Sequence, residues 1–141
     1  MIRRARLEDL DLLAGLSAEF NELDGHAHDD ARVHAALTPL LQDDELGVVY
    51  LIGEPPGGYA VVTWGYSIES SGRDALLDEI YVRSRGEGIG GEAFEEILDD
   101  LRTRGIFRMF LETERPNDRV RRFYTRHGFT EDDSIWMSRE L

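Results

Sequence analysis

The sequence predicts an α+β domain in which a mixed, mostly antiparallel β-sheet carries helices on both faces. The periodicity of the apolar residues gives the element order β-α-α-β-β-β-α-β-α-β, and turns rich in glycine, proline and serine join the middle strands as hairpins. The 141 residues suffice for one hydrophobic core, and no repeat or linker interrupts them. We therefore expect a single domain over residues 1–141.

The first half of the chain is predicted to hold one strand, two helices and three strands joined by hairpins. Leu10, Leu13 and Phe20 recur at helical spacing and indicate the first helix. Asp29 or Asp30 can cap the second helix, whose apolar residues also follow a helical stripe. The predicted elements are a strand over residues 2–6, a helix from residue 10, a helix over 31–41, and strands over 48–52, 59–64 and 75–82.

The second half is predicted to alternate helices and strands. Phe94, Ile97 and Leu101 fall on one face of an amphipathic helix, because they are spaced by three and four residues. Ile135 and Met137 alternate with other residues and indicate a closing strand with both side chains on one face. The predicted elements are a helix from residue 90, a strand over 106–111, a helix over 117–127 and a strand over 134–139.

The composition excludes several classes of enzyme. The chain has no cysteine, which excludes disulfides, thiolate metal sites and a cysteine nucleophile. All 16 basic residues are arginine, so the lysine of phosphate-loop nucleotide binders and the Schiff-base lysine are absent as well. His26 and His28 lie among acids but form a metal site only if they converge, and the sequence favours no metal.

The charge and hydropathy of the chain indicate its partners. A net charge of −13 repels nucleic acid and favours a cationic partner, although acidity can also serve solubility alone. No apolar run reaches the roughly 18 residues of a membrane span, and acids follow the N-terminal arginines where a signal peptide would be apolar. We expect a cytoplasmic protein that contacts neither nucleic acid nor membrane.

A glycine-rich segment between the strand over 75–82 and the helix from residue 90 carries the main functional signal. Gly86, Gly88, Gly90 and Gly91 allow a tight turn and a close approach of backbone to ligand, and a helix start offers unpaired amides. The segment is typical of a diphosphate site. A dinucleotide-binding fold is a less favoured alternative, because G-x-G-x-x-G is matched but a second βαβ half is missing, and a plain turn is another.

Two motifs together resemble the GNAT superfamily of N-acetyltransferases. Arg85-x-x-Gly88-x-Gly90 resembles its Q/R-x-x-G-x-G/A signature. Asn117, Val120, Phe123-Tyr124 and Gly128-Phe129 resemble its downstream pattern N-x-x-A-x-x-F/L-Y-x-x-x-G-F, with valine in place of the small alanine. The resemblance is strong over residues 75–129, which would form the acetyl-CoA-binding core.

The resemblance implies a GNAT-like fold, acetyl-CoA as co-substrate, and a site built mainly from backbone. An amide near Val82 is expected to bind the oxygen of the thioester carbonyl, and the Tyr124 hydroxyl to protonate the departing sulfur. The family often forms dimers, so a homodimer is a further expectation. The implied cofactor-binding residues are Ile80, Tyr81, Val82, Arg85, Gly86, Glu87, Gly88, Ile89, Gly90, Gly91, Asn117 and Tyr124.

The acceptor is expected to be a primary amine, which must lose a proton before it attacks. An alkylamine with a pKa near 10.4 is almost wholly protonated at neutral pH, so a base or a water relay is needed. Glu79 is the candidate base, on the opposite strand face from Asp78, with Glu69 and Glu112 as weaker candidates. Glu22, Asp24 and Glu69 are candidate substrate residues. A non-catalytic acyl-CoA-binding module is the alternative function.

Overall fold

The computed structural model describes residues 1–84 and 88–141. Arg85, Gly86 and Glu87, three of the expected cofactor-binding residues, lie outside the described residues. The helices are α1 (Leu10–Leu23, after a 3₁₀ turn at Leu7–Asp9), α2 (Asp30–Gln42), α3 (Ile89–Thr103) and α4 (Asp118–Arg126). The strands are β1 (Ile2–Arg4), β2 (Gly47–Ile52), β3 (Gly58–Ser67), β4 (Gly72–Val82) and β5 (Met109–Phe110).

One sheet joins the five described strands in the order β1-β2-β3-β4-β5. β1 to β4 are antiparallel, and β5 runs parallel to β4. The long hairpin of β3 and β4 pairs from Ser67 opposite Gly72 to Gly58 opposite Val82, with one register shift between Val61 and Val62. The sheet is therefore mixed and mostly antiparallel, as the sequence predicts.

Helices cover both faces of the sheet, because apolar residues on its strands alternate between two cores. Val49, Leu51 and Val61 pack with α1 and α2 in one core. Val48, Val62 and Leu77 pack on the other face, in a core completed by α3 and α4. This confirms the predicted arrangement. No helix within the described residues is long and apolar enough to cross a membrane.

Local signals place the helix starts close to the expected positions. The Asp29 carboxylate accepts a hydrogen bond from the Arg32 amide at 3.2 Å, so Asp29 and not Asp30 caps α2. The Asn117 side chain accepts one from the Val120 amide at 3.2 Å and caps α4. Both caps satisfy an amide that has no partner inside its own helix.

Two strand predictions in the C-terminal half need correction. The predicted strand over 134–139 is wrong: this part of the chain is described without strand pairing, and Ile135 and Met137 are exposed. The predicted buried strand over 106–111 shortens to the half-buried Met109–Phe110, with Phe107 exposed. Alternating apolar residues only make a segment suitable for a sheet, whereas a strand also needs an edge to pair with.

Candidate active site

β4 extends well beyond its pairing with β5, and we call the side of β4 left without a described strand partner the wedge. Among the described residues, the two strands pair only at Ala75 with Met109 and Leu76 with Phe110, while β4 continues to Val82 along β3. The Arg83 amide donates to the Gly57 carbonyl of the neighbouring loop at 2.9 Å, which fixes the direction of the amides before it.

The direction of each backbone amide along β4 divides the expected cofactor-binding residues of this strand into two groups. Amides alternate in direction along a strand, so those of Val82 and Ile80 point away from β3 and into the wedge, whereas that of Tyr81 points toward β3. The Tyr81 ring stacks on Phe20 at 5.6 Å on the α1 side. Ile80 and Val82 are thus the β4 residues whose backbone faces the wedge.

The start of α3 lies at the same end of β4 and presents hydrogen-bond donors. Gly88 has a φ of +78°, which favours glycine, and its carbonyl accepts the first described helical bond, from Glu92, at 3.2 Å. The amides of Ile89, Gly90 and Gly91 donate to no acceptor among residues 1–84 and 88–141. Unpaired amides of this kind, with the positive end of the helix dipole behind them, are the groups that bind anions at helix starts.

The described packing does not account for the glycines in this helical turn. A Cβ at Gly90 would meet its nearest described atom, in Val82, at 4.0 Å, and a Cβ at Gly91 would meet His127 at 3.6 Å. Both are ordinary contacts, so alanine fits at each position and would favour the helix. The bare backbone leaves open space beside the described part of this turn.

Tyr124 is positioned by an aromatic cluster on the α3 side of the sheet. Its ring lies 5.6 Å from Phe94, 5.2 Å from Phe123 and 5.7 Å from Phe129, and the residue is only 8% exposed. Burial raises the pKa of Tyr124 to about 12. Its hydroxyl therefore remains a proton-bearing donor at neutral pH.

A β-bulge places Glu79 and Asp78 on the same side of the sheet. Val61 lies opposite Glu79 and Val62 lies opposite Leu77, so Asp78 is the extra residue. Asp78 and Glu79 both line a cavity on the α1–α2 face. The expectation that the two carboxylates occupy opposite faces is wrong, because the bulge breaks the strict alternation of the strand.

The Glu79 carboxylate is held by a buried tyrosine. The Tyr59 hydroxyl donates to Glu79 Oε1 at 2.7 Å. Burial and this hydrogen bond raise the pKa of Tyr59, so the phenol stays a donor. Tyr59 gives no sequence signal for this role, because its partner lies on the neighbouring strand, 20 positions away.

Apolar and polar residues both line the cavity beside Glu79. Its volume is about 100 Å³, and it lies between α1, α2 and the sheet. Ser17, Tyr59, Asp78 and Glu79 contribute the polar groups. The apolar lining consists of Leu13, Val33, Ala36, Leu37, Leu40 and Val61. We call this space the α1–α2 cavity.

The Glu19 carboxylate on α1 binds side chains at the end of β4. Glu19 accepts from Arg83 at 2.8 and 2.5 Å and from the Tyr81 hydroxyl at 3.2 Å. The Arg83 guanidinium lowers the pKa of Glu19. Sequence reasoning missed this contact, because the partners lie 62 and 64 positions apart.

The three candidate substrate acids are not brought together. Glu22 and Asp24 are exposed at the end of α1, and Asp24 lies 3.3 Å from His26. Glu69 is exposed in the β3–β4 turn, and the strand length separates it from Glu79 by roughly 20 Å. In the described part of the chain, no cluster of three or more His, Cys, Asp or Glu side chains is placed to hold a metal.

The sequence of the domain matches one family model over most of its length. The model of the acetyltransferase (GNAT) family aligns with residues 10–129. The chain belongs to the acetyltransferase (GNAT) family. This confirms the family suggested by the glycine motif and the Asn117–Phe129 pattern, and acetyl transfer is the activity of the family. No curated protein sequence matches the chain significantly.

Solved structures share the GNAT fold along the whole chain. A candidate acetyltransferase from Arthrobacter sp. FB24 is 30% identical with a TM-score of 0.88, and the match covers 100% of this chain and 96% of that one. A protein from Clostridium acetobutylicum, described as an acetyltransferase with acetyl-CoA, is 20% identical with a TM-score of 0.81, covering 100% and 96%. The ribosomal-protein-alanine N-acetyltransferase of Brucella melitensis biovar Abortus 2308 is 21% identical with a TM-score of 0.77, covering 99% and 98%.

Proposed function

We propose that this GNAT protein transfers the acetyl group of acetyl-CoA directly to a small primary amine bound beside Glu79. One observation carries the proposal: β4 presents the Ile80 and Val82 amides to the wedge, while Glu79 faces the α1–α2 cavity. A cofactor along the wedge and an amine in the cavity would meet at this stretch of strand.

The cofactor side is assigned to backbone donors. The amides of Ile89, Gly90 and Gly91 would hold the diphosphate, and those of Ile80 and Val82 would bind the pantetheine arm and the carbonyl oxygen. When bound, acetyl-CoA supplies a thioester that is reactive toward amines. The Clostridium acetobutylicum neighbour with acetyl-CoA supports this choice of ligand.

The proposed proton transfers use one side chain on each face of the sheet. Glu79 accepts a proton from the ammonium group of the acceptor, directly or through a water molecule. The nitrogen then attacks the thioester carbon, a nitrogen–carbon bond forms as the carbon–sulfur bond breaks, and the sulfur leaves with the bonding electron pair. The second proton that the nitrogen loses on becoming an amide passes through water and replaces the one that Tyr124 gives to the sulfur. Tyr124 donates its hydroxyl hydrogen toward that sulfur from the α3 side of the sheet.

The α1–α2 cavity favours an amine with a compact aliphatic group. Its volume of about 100 Å³ is smaller than the roughly 150 Å³ that accommodates benzene, so a branched group of about four to five carbons matches its apolar lining. Asp78 and Glu79, which both line the cavity, supply carboxylates that would face the ammonium group. Glu22 and Asp24, at the end of α1, could attract a cation toward the site, whereas Glu69 lies too far from Glu79 to contact the same small acceptor.

An acceptor panel tests the proposal. Purified protein with acetyl-CoA is offered isoamylamine, phenethylamine, spermidine, an aminoglycoside and an alanine-initiated peptide, and released thiol is measured. We expect isoamylamine to give the highest kcat/KM, because it alone in the panel has a compact branched aliphatic group that matches the apolar lining of the α1–α2 cavity. A preference for spermidine or the aminoglycoside would contradict the assigned acceptor class.

Two variants separate an enzyme from a binding module. Glu79→Gln and Tyr124→Phe should each lower kcat by about 10²-fold or more, with the Kd for CoA in calorimetry changed less than about twofold. Unchanged turnover in either variant would remove that residue from the mechanism. Saturable CoA binding without turnover on any amine would favour the binding module, and no CoA binding would reject both functions.

A further inference from the structure

A histidine on α2 forms a hydrogen-bonded link to α1. The His34 ring has a hydrogen-bond acceptor beside each nitrogen. Its Nδ1 lies 2.8 Å from the Asp30 carbonyl, one turn earlier in α2, and its Nε2 lies 3.3 Å from the Asp11 carboxylate on α1. Within residues 1–84, no other side-chain hydrogen bond joins α1 to α2. We call this arrangement the His34 link.

The two partners of the ring indicate its protonation state. A carbonyl and an ionised carboxylate accept hydrogen bonds but cannot donate them. A neutral imidazole carries one N–H group and can satisfy only one of the two, whereas an imidazolium carries an N–H group on each nitrogen and satisfies both. The His34 link is therefore complete only when His34 is protonated.

The charges around His34 favour the protonated form. The hydrogen bond to the Asp30 carbonyl, the hydrogen bond to Asp11 and the charges of both carboxylates raise the pKa of His34 above its ordinary value of 6.5. His28, in the connection between the helices, shares this environment, because its Nε2 lies 3.4 Å from Asp30 Oδ1. With a raised pKa, the link is complete below pH 6.5 and is lost as the pH rises through the raised value.

We propose that protonated His34 is a positioning residue for the amine, because it holds α1 and α2 in place around the α1–α2 cavity. Leu13, two positions after Asp11, and Leu37, three positions after His34, both line this cavity. When the ring loses its Nε2 proton, an unshared electron pair faces the Asp11 carboxylate, and the two repel. The effect on the amine rests on the proposed function, whereas the His34 link itself does not.

Apolar packing limits how far the helices can loosen. Leu13 and Leu16 of α1 pack with Leu37 of α2 in the core on this face of the sheet, whatever the charge of His34. The Asp11 side chain is 98% exposed. Because ion pairs in contact with water contribute little, we expect loss of the link to raise the KM for the amine by about two- to fivefold.

The His34 link is tested without any measurement of activity. In NMR titrations of the histidine rings, Asp11→Asn should lower the pKa of His34 toward 6.5. Hydrogen exchange of α2 amides should be faster in His34→Gln than in the wild type at about pH 6 and equal in the two at about pH 8.5. His26→Gln is the control, because His26 pairs at 3.3 Å with Asp24 after the end of α1 and joins no second helix.

Two results would overturn the His34 link. One is a pKa of His34 that does not change in Asp11→Asn. The other is an exchange difference between His34→Gln and the wild type that is the same at both pH values, which would assign the effect to packing instead of the proton.

Steady-state kinetics test the effect on the amine, with isoamylamine as the probe. At about pH 6, His34→Gln should raise the KM for isoamylamine by about two- to fivefold, with kcat and the KM for acetyl-CoA nearly unchanged. At about pH 8.5 the variant and the wild type should converge, since the wild-type ring is then neutral as well. Protonation of the amine affects both proteins equally and cancels in their ratio.

A charge-retaining variant completes the test. His34→Lys stays protonated at both pH values, so its KM for isoamylamine should remain below that of His34→Gln at about pH 8.5. A KM ratio of His34→Gln to wild type that is independent of pH would overturn the positioning role. Absence of turnover with every amine would reject the proposed function and this role together, while the NMR titration and hydrogen exchange would still decide the His34 link.

Discussion

Individual side chains on the two faces of β4 have separate tasks in the proposed reaction. On the α1–α2 face the Tyr59 hydroxyl orients Glu79 by a 2.7 Å hydrogen bond. On the α3 face Tyr124 keeps its proton in an aromatic cluster. Both phenols are buried and lie on opposite faces of the sheet. The effect of each one can therefore be measured separately.

Tyr59→Phe tests the positioning of the base. We expect kcat to fall about tenfold with the KM for acetyl-CoA nearly unchanged, because the carboxylate remains but loses its orienting donor. In a double-mutant cycle the loss should vanish in a Glu79→Gln background, a result that general destabilisation would not give. Additive losses in steady-state kinetics would mean that Tyr59 acts independently of Glu79.

Because of the raised pKa of Tyr124, we expect the free energy of unfolding to depend on pH in the alkaline range. Burial raises the pKa of Tyr124 to about 12, so the stabilising contribution is complete below the ordinary value near 10 and is lost as the pH rises toward 12. Between pH 10 and 12 the free energy of unfolding should fall by up to about 2 kcal/mol more in the wild type than in Tyr124→Phe. Urea titrations at several pH values measure the difference, and equal slopes would contradict the assignment.

At the scale of the element, the glycines in the first turn of α3 lower the stability of the helix but keep its backbone amides accessible. Gly91→Ala should raise the free energy of unfolding by up to about 1 kcal/mol, because a Cβ meets only ordinary contacts, the nearest at 3.6 Å from His127. The same variant should weaken CoA binding about tenfold or more, because the methyl group occupies the approach to the amides. Calorimetry and denaturant unfolding measure the two effects.

The neighbouring glycine provides the control for that variant. Gly88→Ala should lower stability, because φ is +78° there and a side chain is strained in this conformation. Tighter or equal CoA binding in Gly91→Ala would show that the glycine serves the fold and not the ligand.

At the scale of the molecule, one carboxylate connects distant parts of the chain. Asp44 accepts from Arg4 at 2.6 Å and from Arg104 at 2.9 Å, which joins β1 and the end of α3 to the turn before β2. Although burial acts in the opposite direction, these two guanidinium groups lower the pKa of Asp44. The contribution to stability is therefore present above about pH 4 and is lost as the pH falls through the lowered value.

Asp44→Asn tests this connection. We expect a loss of about 1 kcal/mol in the free energy of unfolding at pH 7 and a smaller loss at pH 3, where the wild-type carboxylate is also being protonated. Glu45→Gln, which removes a charge from the exposed neighbouring residue, should change stability by less than about 0.5 kcal/mol. A loss that is equal at both pH values would mean that packing, and not charge, explains the effect.

Local patterns determined much of this architecture. Apolar spacing predicts all four helices and the first four strands, because each pattern is complete within a dozen residues. The glycine motif and the Asn117–Phe129 pattern predict the family, because each motif is complete within a short stretch of the chain.

The tertiary structure decided what depends on distant partners. The bulge at Asp78 exists only against Val61 and Val62, and the α1–α2 cavity forms only where two helices cross the sheet. Residues 134–139 alternate like a strand but pair with no strand in the described part of the chain. Tyr59 and Glu19 hold the site through residues 20 and more than 60 positions away. A sequence specifies the periodicity of each element, but the register between elements is set by packing them together, and register determines which side chains share a site.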